Sequence, residues 1–504
     1  MKSIVPLLSR ISFCFMICAA AGCSISKQKV HPVKTDPGSL QQDLILLNKA
    51  LQKYHPSLYA FCPKTEWEEA WQKSLGSIRD SLNEADFAYQ IVGPLLARIR
   101  CGHTSVSLSN YFKKYQQVNP PASFPLHMKF FGDTMMVSRN LNRTDTQIKK
   151  GTIILTINGM DSREIKDRMF ANLPMEGYAE SVNLARLNNN FPFYHRMVMG
   201  VDSFYAIQFQ DDQNLIKSST IAAYKPGQKT KSSSESKVEK IRQKPGLARK
   251  RELRIDTISR VGYMFLANFN QPLISHHFIR KSFKTIKHHR IKHLIIDLRS
   301  NGGGVIDNEV FLARHLRNTR FRVADSAVAI NRKFNGFRKY FQNDWINGMI
   351  MCLFTQKDEN GLFHLSRYWE KRQFKPVHHR FFDGQIYILT GGMTFSAASL
   401  FCKTMKGQDN VLLIGEETGG SGYANNGLLI PDFRLPNSGV KIRMPLFRLV
   451  PDSTTANDGR GVIPDIVIKP SSASFKQGYD PAMTTTLSII RKFDQLKKIS
   501  ADLK

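Results

Sequence analysis

The chain has 504 residues, 42% hydrophobic and 22% charged, with 32 Gly and 22 Pro. These proportions exclude wholesale disorder, a collagen-like repeat and a coiled coil, and the length suits two to four folded units. Its 72 Lys+Arg against 41 Asp+Glu leave a formal charge of +31, a balance suited to nucleic acid or an anionic membrane surface, so its placement decides its meaning.

Lys2 and Arg10 flank the start of an apolar run, Ile11–Ala21, followed by Gly22-Cys23 and then polar residues. A basic start, a short apolar stretch and small residues predict a secretory signal over 1–22, too short to span a bilayer stably. The Ala20-Ala21-Gly22-Cys23 ending resembles a bacterial lipobox, which implies that Cys23 is acylated and begins the mature chain. An uncleaved anchor, or an ordinary signal with a chance cysteine, is the alternative. On the lipobox reading, 23–38 is a polar tether and the body is held at a bacterial cell envelope, on its periplasmic or outer face. Nucleic acid is then not an expected partner. Beyond the signal and Cys23 remain Cys62, Cys101, Cys352 and Cys402, too dispersed for a paired C-x-x-C metal site. An oxidising compartment permits disulfides without dictating any.

Apolar residues at helical spacing (Leu40, Leu44, Leu47, Leu51), with Ser39 as N-cap, and two further periodic stretches predict a helical N-terminal domain over 39–115. The next segment, 118–215, reads as β-rich: strands at His127–Phe131 and Thr134–Val137 bracket the turn Gly132-Asp133. Its Ile148–Gly159 segment resembles the centre of a PDZ domain, a module that binds peptide ends by adding a strand to a sheet edge. Lys217–Arg254 carries 12 Lys/Arg against 3 Glu with few apolar residues. A solvated linker over 216–254 is the plain reading, and an electrostatic contact with anionic lipid or polysaccharide the sharper one. From 255 to 470 short apolar strands (Val261–Ala267, His293–Leu298, Gln385–Thr390, Val411–Ile414) alternate with helices, predicting a largely parallel sheet covered on both faces. Residues 333–380 read as an insertion, and 471–504 as a C-terminal helix.

Two segments carry candidate chemistry. Asp297-Leu298-Arg299-Ser300-Asn301-Gly302-Gly303-Gly304 leaves a strand through three glycines, which lets backbone N–H groups face a ligand. Leu389–Ser399 runs from a strand through Gly391-Gly392 to a helix opening at Ser396. A serine there is either a simple N-cap or an exposed nucleophile at the carboxyl edge of a sheet, where open α/β folds place ligands. The small Ala397 and Ala398 favour the second. Ser300, Ser399 and Ser421 are rival serines. The pairs His276-His277, His288-His289 and His378-His379 lack partnered acidic or cysteine ligands at regular spacing and read as basic surface, so no metal or cofactor is expected.

These two segments, with Gly415–Gly420, Gly459–Ile466 and the upstream Cys101-Gly102-His103-Thr104, resemble the tail-specific, or carboxy-terminal-processing, serine peptidases. The resemblance implies an α/β multidomain protein with a helical N-terminal cap, a PDZ-like module and a ClpP/crotonase-like protease core. It implies a serine endopeptidase acting on peptides or unfolded protein C-termini. One branch of the family places a lysine base after the Gly-Glu-x-Thr-x-Gly segment, where this chain has Ser421. The other, tricorn-like branch uses a histidine and a C-terminal acid, which maps Ser396 as nucleophile, His103 as base and Asp458 as acid, with Gly303 and Ala397 as oxyanion donors. Asp452 and Asp465 are alternative acids. Cys101 stands where relatives commonly carry aspartate, and Asp458 where that branch carries glutamate. A non-catalytic ligand- or peptide-binding lipoprotein on the same scaffold is the alternative function, and an electrostatic surface adhesin acting through 217–254 a third.

Overall fold

The computed structural model describes residues 33–142, 145–226, 250–366 and 370–502, so the signal segment, Cys23 and most of the basic stretch lie outside it. Within it, the protein is a mixed α/β structure with several sheets.

The sheet that positions the candidate chemistry has six strands side by side, in chain order: Arg251–Asp256, Val261–Leu266, His293–Asp297, Gln385–Thr390, Val411–Gly415 and Ile466–Val467. The first pair is antiparallel and every later pair is parallel. Each strand residue from His293 to Asp297 is buried, as expected of a parallel strand covered on both faces. Alternation assigns the two faces. Leu294, Ile296, Ile386 and Ile388 pack with Ile279 and Phe283 of the helix Pro272–His288 and with Phe401 of the helix Ala397–Met405. Ile295, Tyr387, Leu389 and Ile414 pack instead with Ile490 of the C-terminal helix Pro481–Asp502. The expected single helix at 471–504 is two, Ser472–Gln477 and Pro481–Asp502, because Gly478 ends the first in the left-handed conformation (φ 72°).

The N-terminal region is mainly helical, beginning with Pro37–Tyr54. Its cap is Asp36, whose carboxylate accepts the Ser39 N–H at 2.9 Å, rather than Ser39 itself. This displaces the expected cap by three residues because Pro37 suits the first helical position. The region is stitched to the distant core. Strand Ser105–Ser107 pairs antiparallel with Lys441–Arg443, which pairs in turn with Asp432–Arg434. Cys101–Thr104, just before that strand, is thereby delivered to the sheet's end.

The β-rich segment is an antiparallel sheet of Leu126–Phe131, Thr134–Asn140, Ile153–Ile157, Phe204–Gln210 and Ile216–Ala222 with its own apolar core. It extends beyond 215, since Ile216–Ala222 pairs with Phe204–Gln210 along its full length. Arg251–Asp256 is likewise a strand. Both ends of the expected linker are therefore sheet edges, and the exposed Lys217 and Ser218 of the first suit a solvated edge; 227–249 lies outside the described residues. Residues 333–380 do form an added layer, with helix Asp344–Phe354 and two short strands in a sheet with Ser326–Ala329 and Arg448–Val450. No described helix is long and apolar enough to cross a membrane.

Burial also sets an acid limit. Desolvation pushes His55 down to about 3, and His195 and His315 down to about 4. The unfolded chain binds these protons near pH 6.5, so neutral imidazoles favour folding above that pH, and the contribution is lost as pH falls towards 4. Thermal melts between pH 7 and 4 should show Tm falling, with a shallower slope in His55→Gln, whose amide can still meet Thr104. An unchanged slope would contradict the assignment of His55 as a buried neutral group.

Candidate active site

Ser396 sits where strand Gln385–Thr390 has turned through Gly391-Gly392 into helix Ala397–Met405. Its backbone adopts φ 55° and ψ −123°, a region costly for any residue with a Cβ, and its side chain makes no capping hydrogen bond. The simple N-cap reading therefore fails. The turn instead thrusts the hydroxyl away from the helix and is locked beneath. Thr394 Oγ1 donates to Leu298 O at 2.8 Å and accepts from Gly391 N–H at 3.0 Å, and Phe395 N–H donates to Asn301 O at 3.0 Å. The two glycine-rich strand ends are thus tied to each other.

His103 arrives from the N-terminal region and is 7% exposed. Its ring lies 4.8 Å from that of Phe395, the residue before the serine. Its Nε2 and Ser396 Oγ face one notch over Gly427, where a Cβ would stand 2.7 Å from the nitrogen and 2.8 Å from the oxygen. The two atoms are therefore at most 5.5 Å apart, the sum of those distances. They are not hydrogen-bonded in this conformation. Apo sites commonly hold such pairs loosely.

On the far side of the ring, Nδ1 lies 3.3 Å from Oε2 of Glu176, which is buried and also accepts the Gly102 N–H at 3.0 Å. The Nδ1 contact is close but off the hydrogen-bonding line. Asp458, the acid expected from sequence, is exposed, and its carboxylate accepts the N–H of Arg460 two residues on, at 2.8 Å. Asp452 is held by Thr454 and Thr455, and Asp465 accepts the Leu413 N–H. None of the three is brought to His103; Glu176 is. Its loop, 173–178, has no motif or periodicity. The loop of Asp458 does border it, for Gly459 O accepts the Tyr178 N–H at 2.7 Å.

The expected oxyanion donors are both beside the serine, in different states. Ala397 N–H opens its helix and so has no intrahelical acceptor. Gly303 backs directly onto Ser396, where a Cβ would come within 2.7 Å of the serine Cβ, so only glycine fits. Its N–H, however, donates to Asn301 Oδ1 at 2.9 Å. A substrate oxyanion would have to displace that amide oxygen. Among the rival serines, Ser399 is buried and donates to Thr394 O, Ser421 accepts the N–H groups of Tyr423 and Ala424, and Ser300 is exposed.

Of the histidine pairs read as basic surface, His276 meets Asp307 at 3.2 Å, and His378 and His379 lie in a short turn. Among the described residues, a three-ligand grouping able to hold a metal ion occurs at Cys101, His103 and Glu176. The Cys101 thiol accepts from Asn426 Nδ2 at 3.2 Å, and burial pushes its pKa up to about 12.

Gly102 makes the arrangement possible, since a Cβ there would lie 2.6 Å from the Phe395 ring and 3.2 Å from the Glu176 carboxylate. Gly102→Ala should separate His103 from Ser396 and cost about 10²-fold in any reaction at the serine while circular dichroism stays native. Unchanged reactivity would show that this contact does not position the ring.

Residues 260–468 match the family model described as Peptidase family S41. Mature CPAF complexed with lactacystin aligns with a TM-score of 0.60 at 13% identity, covering 91% of this chain and 99% of that one. Mature CPAF alone gives 0.58 at 12% identity, covering 87% and 94%. The photosystem II D1 C-terminal processing protease aligns at 0.39 and 14% identity, covering 86% and 94%. No curated protein matches the chain. At such identities the solved structures speak for the fold, and the family match speaks for the chemistry. Residues 260–468 thus match peptidase family S41, in line with the tail-specific serine peptidases that the chain's motifs resemble.

Proposed function

We propose that this peptidase is an endopeptidase of the cell envelope, cleaving peptides or unfolded protein C-termini with Ser396 as nucleophile and His103 as base. The observation that carries the reading is the shared notch over Gly427, faced by both Ser396 Oγ and His103 Nε2. A hydroxyl attacks a carbonyl only as its proton leaves, and an imidazole is suited to take that proton near neutral pH. In this reading His103 Nε2 accepts it and then returns it to the departing amine. Glu176, rather than Asp458, holds the Nδ1 proton and stabilises the imidazolium. Ala397 N–H supports the developing oxyanion, joined by Gly303 once Asn301 gives way; one such donor is worth about 10²–10³ in rate.

The antiparallel sheet ending in Ile216–Ala222 is read as a PDZ-like docking module and the six-stranded unit as the ClpP/crotonase-like core. The edge strands of the former supply open backbone groups for an extended peptide. Cys23 carries the lipid that tethers the enzyme to the bacterial membrane, and the basic stretch 217–254 meets anionic lipid or polysaccharide there. The support for both is the sequence.

A fluorophosphonate probe tests the reading. The purified chain should label, Ser396→Ala and His103→Ala should abolish labelling, and lactacystin, the compound found on CPAF, should compete. Fractionated cells should show the labelled band with membranes, released by Cys23→Ser. A folded protein that never labels would instead support a binding lipoprotein on this scaffold.

A further inference from the structure

Cys101, His103 and Glu176 each offer a ligand atom, and these atoms lie within 4.8 Å of one another. Cys101 is 1% exposed, His103 7% and Glu176 3%, so water supplies little of their solvation. The His103 ring is nonetheless without a hydrogen-bond partner at either nitrogen. A buried imidazole whose Nδ1 meets the Glu176 carboxylate only in an off-line 3.3 Å contact is poorly satisfied, and with the Cys101 thiol nearby it has two ligands ready to share a cation with it. The spacing fits. Two ligands about 2.1 Å from a tetrahedral ion stand about 3.4 Å apart, and Nδ1 and Oε2 are 3.3 Å apart. The thiol stands within 4.8 Å of both, and its approach to them would complete the set.

We propose that these three residues form an inhibitory site for zinc or a similar thiolate-preferring divalent cation. The inference rests on the peptidase reading of Ser396 and concerns its control. One sulfur, one nitrogen and one oxygen ligand favour zinc over magnesium or calcium, which take oxygen. A thiolate and a carboxylate together neutralise a dication in a buried place. On binding, the Cys101 proton leaves to solvent and Nδ1 donates its lone pair to the ion. The remaining imidazole proton must then sit on Nε2. That nitrogen can no longer accept the proton of Ser396, so the nucleophile is switched off while the serine itself stays untouched. Cys101 and Glu176 both line one small cavity. The guanidiniums of Arg100 and Arg448 in its wall are each held over a ring, of Tyr178 and Tyr423.

The test uses the purified full chain, Cys101→Ser and Cys101→Ala, each freed of metal by a chelator. Cobalt(II) added to the unmodified chain should give a thiolate charge-transfer band at one ion per chain, absent in both variants. Zinc should slow fluorophosphonate labelling at least about tenfold, reversibly on chelation. The variants should label normally without zinc and need about 10–100-fold more of it for the same inhibition. No cysteine-dependent band, or equal zinc sensitivity in the variants, would overturn the proposal. A normal band on a metal-free chain that never labels would overturn the peptidase reading instead, leaving a metal site without an enzyme to control.

Discussion

The site depends on one packing contact between segments nearly 300 residues apart in sequence. Gly102 lies against the ring of Phe395 with no room for a side chain. That contact sets His103 over the residue preceding the serine and fixes the approach of two segments that share no secondary structure. The backbone pairing of Ser105–Ser107 with Lys441–Arg443 brings the N-terminal region close, and Gly102 converts closeness into register. Loop-closure entropy across such a span is modest beside the benefit of the buried contacts formed, so remote assembly is no obstacle.

Around that contact the fold holds strain and polarity where chemistry needs them. The left-handed Ser396 is sustained by the Thr394 bonds below it and by the buried Ala397, Ala398 and Phe401 beyond it. Strain of this kind persists only where neighbours over-determine it, and it aims the hydroxyl out of the helix axis. The Gly303 N–H, held by Asn301, shows a site at rest, with one oxyanion donor satisfied internally until a substrate competes for it. Resting closure keeps a buried donor paired and still leaves it within reach of Ser396.

Legibility in the sequence followed locality. The strands of the large sheet were readable because buried parallel strands are continuous apolar runs, and both glycine-rich turns because the chain must reverse there over backbone. Ile216–Ala222 and Arg251–Asp256 were not, for an edge strand rich in Lys, Ser and Arg has the composition of a linker. His103 and Ser396 could be paired only through family motifs. Glu176 had no such signal: its position beside the ring is created by bonds to Gly102 and by Gly177 N–H donating to Arg100 O, all long-range. Asp458 had the motif, but its carboxylate is taken by the nearby Arg460 N–H, the local competition to which short acidic side chains are prone.

The account stands on the claim that Glu176, Nδ1 and Nε2 of His103, and Ser396 work as one relay. Its most direct measurement compares second-order fluorophosphonate labelling rates of Glu176→Gln and Asp458→Asn with the unmodified chain. The account predicts a fall of about 10²–10⁴ for Glu176→Gln and a change of no more than about twofold for the exposed Asp458→Asn. The reverse ranking, with Asp458→Asn crippled and Glu176→Gln near normal, would contradict it.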